Sequence, residues 1–319
     1  MPDLLGLRGV AGEQILAWIR HARAMQEILQ RPVAKVPALR GRRIALMFFE
    51  NSTRTRMSFE LAAKSLGADV LNFSASGSSL AKGETILDTA KTISALGADC
   101  MVVRDGHSQM PAYLSQHLEE PVINAGDGTN EHPTQALLDL CVLAQLWQGR
   151  FEDRLLVIVG DVARSRVARS HLWAARALGH RVRLVGPRQF FEPGLVEAFG
   201  CELTSDLDAG LRGADAVMAL RVQKERRQQG GPWLSSQLDY FRTYGLTRAR
   251  LQQHGEAVPL LHPGPVNRAM ELAPDLLYDA DRSQIQTQVQ TGVALRMAVL
   301  YWALGGSDEQ IVERVHAGT

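Results

Sequence analysis

Apolar residues at Ile15, Trp18, Ile19, Ala22, Met25 and Leu29 recur three and four positions apart, so the chain is expected to open with an amphipathic helix. Residues 44–49 then form an unbroken apolar block, the composition of a strand covered on both faces in a parallel sheet. A helix is expected over 53–66, closed by Gly67. From there the patterns alternate, with strands over 70–73, 100–103 and 122–124 and helices over 85–96, 110–117 and 134–147. The polar break Gln148-Gly149-Arg150 marks a change of domain. Beyond it the rhythm restarts, with strands over 155–159, 182–185, 216–220 and 258–261 and a helix over 166–178. Residues 228–237, which include Gly230-Gly231-Pro232, read as a mobile loop. A closing helix over 285–304 is long enough to cross back over the first domain.

The fold class that follows is α/β, with two doubly wound parallel-sheet domains and the active site expected in the cleft between them. The expected division is 1–147, completed by a C-terminal helix within 285–319, and 148–284. A length of 319 residues with 45% hydrophobic content suits two such cores.

Charge narrows the function classes. Lys and Arg number 35 against 34 Asp and Glu, so the net charge of +1 supplies no general pull toward nucleic acid or membranes. Affinity for an anion has to come from a local cluster. Cys100, Cys141 and Cys201 are scattered and odd in number, which fits neither a disulfide framework nor a metal site. No metal and no cofactor is expected, and a dinucleotide fold is a weak reading because the Gly-x-Gly-x-x-Gly pattern is missing. No leader opens the chain and no apolar run nears the roughly 18 residues that cross a bilayer, so a soluble, cytoplasmic protein is expected.

The local cluster lies at the junction of the 44–49 strand and the helix after it. Ser52, Thr53, Arg54, Thr55 and Arg56 put three hydroxyls and two guanidiniums within five residues. A helix N-terminus carries unpaired N–H groups and the positive end of the helix dipole, so it favours an anion before side chains contribute. The hydroxyls add donors and Arg54 adds a planar fork suited to two phosphate oxygens. One such serine would be read as a simple helix cap. The density of donors here favours a phosphate site.

Ser52 to Arg56 resembles the carbamoyl-phosphate signature of the aspartate and ornithine carbamoyltransferases, and the resemblance extends over nearly the whole chain. It implies that Ser52, Thr53, Arg54 and Thr55 bind carbamoyl phosphate in the first domain. His132 and Gln135, in His132-Pro133-Thr134-Gln135, would contact the carbonyl oxygen and the amide end of the carbamoyl group. Thr134 stands where ornithine enzymes usually show Cys. Arg104 ends the 100–103 strand at the edge where open sheets place ligands, and it matches the family's phosphate-and-carbonyl arginine. Asp105 follows it, where the family commonly has His. Ser78 and Lys82, in Ser78-Ser79-Leu80-Ala81-Lys82-Gly83-Glu84-Thr85, resemble a loop that reaches into a neighbouring subunit's site. There Ser78 would touch the phosphate and Lys82 both substrates. Gly264 and Pro265, in His262-Pro263-Gly264-Pro265, would present carbonyls to the carbamoyl NH2, where ornithine enzymes carry His-Cys-Leu-Pro.

Arg166 and Arg221 match the family positions that hold the carboxylates of L-aspartate, with Gln223 near the amine. A pair of arginines suits a dicarboxylate and repels the side-chain ammonium of ornithine. The resemblance therefore implies acyl transfer from carbamoyl phosphate to L-aspartate, without metal or covalent intermediate, in a homotrimer. Whether the trimer joins regulatory chains or a dihydroorotase stays open. Two alternatives remain: a transcarbamoylase for another amine, and a non-catalytic anion-binding scaffold subunit. The presence together of Arg54, Lys82, His132 and Arg221 argues against the second.

Overall fold

A computed structural model of the chain describes residues 1–74, 83–222, 236–255 and 257–306. Contacts divide it into two compact units, Met1–Cys141 with Gln290–Thr319, and Val142–Val289. Both are α/β, and both sheets are wholly parallel.

The first unit opens with α1 (Gly12–Leu29), whose inward stripe is Ile15, Trp18, Ala22, Met25 and Ile28. Ile19 and Leu29, expected on that stripe, are only half-buried, and Ile28 completes it instead. Then follow β1 (Arg43–Phe48), α2 (Thr53–Ser65), β2 (Asp69–Ser74), α3 (Ile86–Ala95), β3 (Cys100–Asp105), α4 (Met110–Ser115), β4 (Val122–Asp127) and α5 (Pro133–Leu146). The strands lie in the order β2-β1-β3-β4. Ile44 of β1 pairs with Val70 on one side and Cys100 on the other. One core cluster joins Ala45, Met47, Met101, Val103 and Val122 of the sheet to Ala90, Ile93 and Leu114 of the helices. Thr85 and Asp88 form a reciprocal capping box at the start of α3, which fixes where that helix begins.

The second unit runs β5 (Leu155–Val159), α6 (Arg166–Leu178), β6 (Arg181–Val185), α7 (Leu195–Phe199), β7 (Glu202–Thr204), α8 (Leu207–Leu211), β8 (Ala216–Ala219), α9 (Gln237–Tyr244), α10 (Arg248–Gln252) and β9 (Leu260–Leu261). Its strand order is β7-β6-β5-β8-β9. Strand β7 and the short helices α7 to α10 were not expected from the sequence. The anticipated loop over 228–237 falls mainly outside the described residues, and its last residue, Gln237, opens α9 under a Ser236 cap.

The last element of the described residues is α11 (Ile285–Ala303), buried on nearly every side from Thr291 to Tyr301. From Gly292 to Ala303 every residue except Arg296 is apolar or aromatic, as befits a stretch that other helices cover on several faces. Trp302 meets Trp18 of α1 edge to face at 4.9 Å, and Thr291 Oγ accepts from Gln26 Nε2 at 3.1 Å. Arg296 reaches Ser58 of α2 at 2.9 Å. Among the described residues no helix is long and apolar enough to cross a membrane.

Candidate active site

The order β2-β1-β3-β4 makes the chain turn to opposite sides of β1, and open sheets bind ligands outside the carboxyl ends of the strands at such a switch point. Here the two strand ends are Phe48 of β1 and Arg104 of β3, direct partners in the ladder. Ser52 takes an extended conformation (φ −157°, ψ 96°) at the N-cap of α2, yet its hydroxyl makes no capping bond. The ladder of α2 starts with Arg56 N donating to Ser52 O at 3.1 Å, so the amides ahead of it point out of the helix end. Thr53 and Arg54 are exposed on that first turn, and Thr55 is buried beneath it.

Arg104 is buried at the end of β3. Its Nη1 donates to Ala125 O at 3.1 Å and its Nη2 to Glu50 Oε1 at 2.7 Å, which locks the plane of the guanidinium. Glu50 had no role assigned from sequence, although it stands two residues ahead of Ser52. The unusual Asp105 turns the following loop on its own carboxylate, accepting from His107 N at 2.6 Å and meeting the His107 ring at 2.7 Å.

His132 ends the loop that follows β4, and its carbonyl accepts from Gln135 N and Ala136 N at the start of α5. A buried carboxylate shapes that loop: Asp127 accepts from Asn124 Nδ2, Gln109 N, Asn130 Nδ2 and Glu131 N. Glu131 in turn accepts from Leu7 N and Arg8 N, tying the N-terminal segment beneath His132. Gln135 donates through Nε2 to Asp139 Oδ1 at 2.9 Å, one turn further along α5. Ser52, Thr53, Arg54, Thr55, Arg104, His132 and Gln135 thus all sit at the carboxyl ends of β1, β3 and β4 or on the helices that follow them.

The second unit repeats the device. Its order β7-β6-β5-β8-β9 puts a switch point between β5 and β8. After β5 the chain turns through Gly160 at φ 131°, where a Cβ would come within 3.0 Å of Leu220 O just past β8. Ser165 caps α6 by accepting from Ala168 N at 3.1 Å, and Arg166, the first helical residue, is buried. Close by in sequence, Arg164 lies 3.4 Å from Asp161, and Arg169 pairs with Glu192 at 2.8 Å. Arg221 follows β8, half-buried. The next residue is pinned, since Val222 N donates to Glu271 Oε1 at 2.8 Å. Glu271 also accepts from Asn267 N and Asn267 Nδ2, both at 2.7 Å. Burial raises the pKa of Glu271, against the lowering pull of these bonds.

Gly264 and Pro265 lie in this second unit, joined by a cis peptide, with Gly264 N donating to His262 Nδ1 at 2.8 Å. Ser78, Lys82 and Gln223 lie outside the described residues. Among the described residues no group of His, Cys, Asp or Glu could hold a metal ion. Burial pushes all three thiols up, which suits structural cysteines rather than nucleophiles.

Comparison with known proteins agrees over most of the chain. Residues 2–145 match the family model for the aspartate/ornithine carbamoyltransferase carbamoyl-P binding domain, and 152–303 match that for the Asp/Orn binding domain. The chain is 46% identical over 305 residues to an aspartate carbamoyltransferase catalytic subunit from Heliobacterium modesticaldum, covering 96% of each. Among solved structures it resembles aspartate transcarbamoylase from Trypanosoma cruzi in complex with carbamoyl phosphate and aspartate, with a TM-score of 0.80, 26% identity and 94% of each chain covered. It also resembles ornithine carbamoyltransferase from Pyrococcus furiosus, with a TM-score of 0.83, 26% identity and 96% and 98% covered. The backbone is common to enzymes for both amines, so discrimination between them has to come from side chains.

Proposed function

This chain belongs to the aspartate/ornithine carbamoyltransferase family, and on that premise we propose that it transfers the carbamoyl group of carbamoyl phosphate to L-aspartate, giving N-carbamoyl-L-aspartate and phosphate. The product is a precursor of pyrimidine nucleotides. Two cationic side chains at the carboxyl ends of β5 and β8, Arg166 and Arg221, carry the choice of acceptor. Each can meet one carboxylate of aspartate, and together they repel the ammonium of ornithine.

In this reading Ser52, Thr53, Arg54 and Thr55 grip the phosphate at the start of α2. Arg104 and His132 donate to the carbamoyl oxygen, and Gln135 with the Gly264 and Pro265 carbonyls receives the carbamoyl NH2. Ser78 and Lys82 complete the phosphate and aspartate contacts, and Gln223 lies beside the amine. The neutral amine attacks the carbamoyl carbon, negative charge builds on the oxygen, the C–O bond to phosphate breaks, and the departing phosphate accepts the amine proton. No side chain is required as general base. Positioning can contribute on the order of 7–11 kcal/mol to such a step, and each preorganised donor to the oxyanion roughly 3–4 kcal/mol. The Glu50 clamp on Arg104 supports this role, because it fixes the donor plane before substrate arrives.

The decisive test supplies the purified chain with carbamoyl phosphate and either aspartate or ornithine. Carbamoyl aspartate and phosphate should appear in equal amounts. Citrulline formation, with aspartate inert, would overturn the assignment.

The reading extends to a cytoplasmic homotrimer in which Ser78 and Lys82 serve the site of a neighbouring subunit. Mixing inactive Lys82→Ala and Arg54→Ala chains should restore part of the activity, since some hybrid sites would carry neither lesion. No recovery after verified subunit exchange would rule out sharing.

A further inference from the structure

The donor residues rest on a buried polar network that the reaction itself does not call on. Gln135 Nε2 donates to Asp139 Oδ1 at 2.9 Å, and Asp139 is completely buried. Glutamine and aspartate one turn apart on a helix form a common pair, normally on the surface and of small effect. Burial of both ends changes its weight, because a buried charge is tolerated only when paired and hydrogen-bonded. A cationic side chain on α11 acts electrostatically on Asp139. Arg296 is buried too, with Nη1 donating to Ser58 Oγ at 2.9 Å and to Gly292 O at 3.1 Å, and its guanidinium lies 5.1 Å from the Phe59 ring. Burial lowers its pKa to about 10, and the charge of Asp139 opposes that fall, so the two groups sense each other. At neutral pH Arg296 stays protonated. Ser58 is on α2, one turn beyond Arg54, so the guanidinium ties α11 to the helix whose first turn carries the hydroxyl cluster.

The chemistry of the acceptor settles which way the Gln135 amide faces. A carboxylate can only accept, so the Gln135 NH2 must be the end turned to Asp139, leaving Oε1 as the end available to a ligand. A carbonyl oxygen can receive the carbamoyl NH2; the reversed amide would set NH2 against NH2. We propose that Asp139 is a positioning residue that fixes the Gln135 side chain with its carbonyl toward the carbamoyl NH2 of the donor. This rests on the carbamoyl-phosphate reading of the site.

Exchanging the two partners tests it. In Asp139→Asn the amide at 135 is free to reverse, and KM for carbamoyl phosphate should rise about tenfold or more, with kcat at saturation falling less. In Gln135→Glu two carboxylates face each other, and KM should rise likewise. The double variant Gln135→Glu/Asp139→Asn rebuilds the bond with donor and acceptor exchanged and again leaves an oxygen for the carbamoyl NH2. Its KM should return to within a few-fold of wild type. A purely structural pair would lower the melting temperature of the single variants and leave KM unchanged, which overturns the proposal. So does a double variant no better than either single one, whether through lost folding or unrecovered KM. A wild-type chain that turns over neither amine would instead sink the carbamoyl-transfer reading.

Discussion

Among single residues, Arg54 and Thr134 contrast a side chain proposed to meet the ligand with one that only packs. Arg54 is exposed on the first turn of α2 and buries nothing of the core. Arg54→Ala should therefore cut turnover by about 10²–10³-fold while the melting temperature stays unchanged; a variant with normal turnover would remove Arg54 from the phosphate site. Thr134 is the opposite case, fully buried with a hydroxyl that has no hydrogen-bond partner among the described residues. An unpaired buried hydroxyl costs about 1–3 kcal/mol, so Thr134→Val, nearly the same shape, should stabilise the fold by about 1 kcal/mol in urea unfolding. A loss of stability would mean the hydroxyl is satisfied in solution. The residues proposed to hold the phosphate were conspicuous in the sequence, because Ser52 to Arg56 concentrate donors where an apolar strand ends. Glu50, Asp139, Glu271 and Arg296 were not. Glu50 meets Arg104 from 54 positions away, Glu271 holds Val222 N from 49 and Arg296 meets Ser58 across 238, and a lone Arg or Glu carries no spacing signal.

At the level of helices and strands, periodicity located the long elements well, with α6 and β5 matching the expected limits. It missed β7, an edge strand of three residues without a buried face, and the five-residue helices α7, α8 and α10, too short to show a period. Periodicity also cannot say what an all-apolar helix touches. Helix α11 packs against α1, α2 and α5, and Gly292 sets how closely: a Cβ there would stand 2.7 Å from Arg296 Nη1 and 3.2 Å from Leu138 Cδ2. Gly292→Ala gains about 1 kcal/mol of helix propensity, but overpacking costs about 1–3 kcal/mol, and Arg296 is held by Ser58 and cannot swing away. The clash should win. A lower melting temperature, together with a raised KM for carbamoyl phosphate, is the expected result; a more stable variant would show that α11 can shift.

For the molecule as a whole, stability has an acid limit traceable to one buried imidazole. His180 packs near Trp147 and Phe151, with ring centroids 6.1 and 5.9 Å away, and neither ring nitrogen has a hydrogen-bond partner among the described residues. Burial pushes its pKa down to about 3, and His171 adds to the fall. The ordinary value, which the unfolded chain regains, is 6.5. Between those values the unfolded chain binds a proton that the folded chain refuses. The stabilising difference is intact above pH 6.5 and is lost as pH falls toward 3, by up to about 1.4 kcal/mol per unit. His180→Phe should flatten the dependence of the urea midpoint on pH from 6.5 to 4, and an unchanged slope would shift the cause to other groups. The order in which the chain builds its two units has a further consequence. The first unit needs residues from Gln290 onward, whereas Val142–Val289 is one continuous stretch. During synthesis, then, the aspartate-side unit can reach its native form on the ribosome while the phosphate-side unit waits, its hydrophobic face uncovered, for the last helix to emerge. A premature stop shortly before that helix should yield a chain that chaperones retain, however complete its second half.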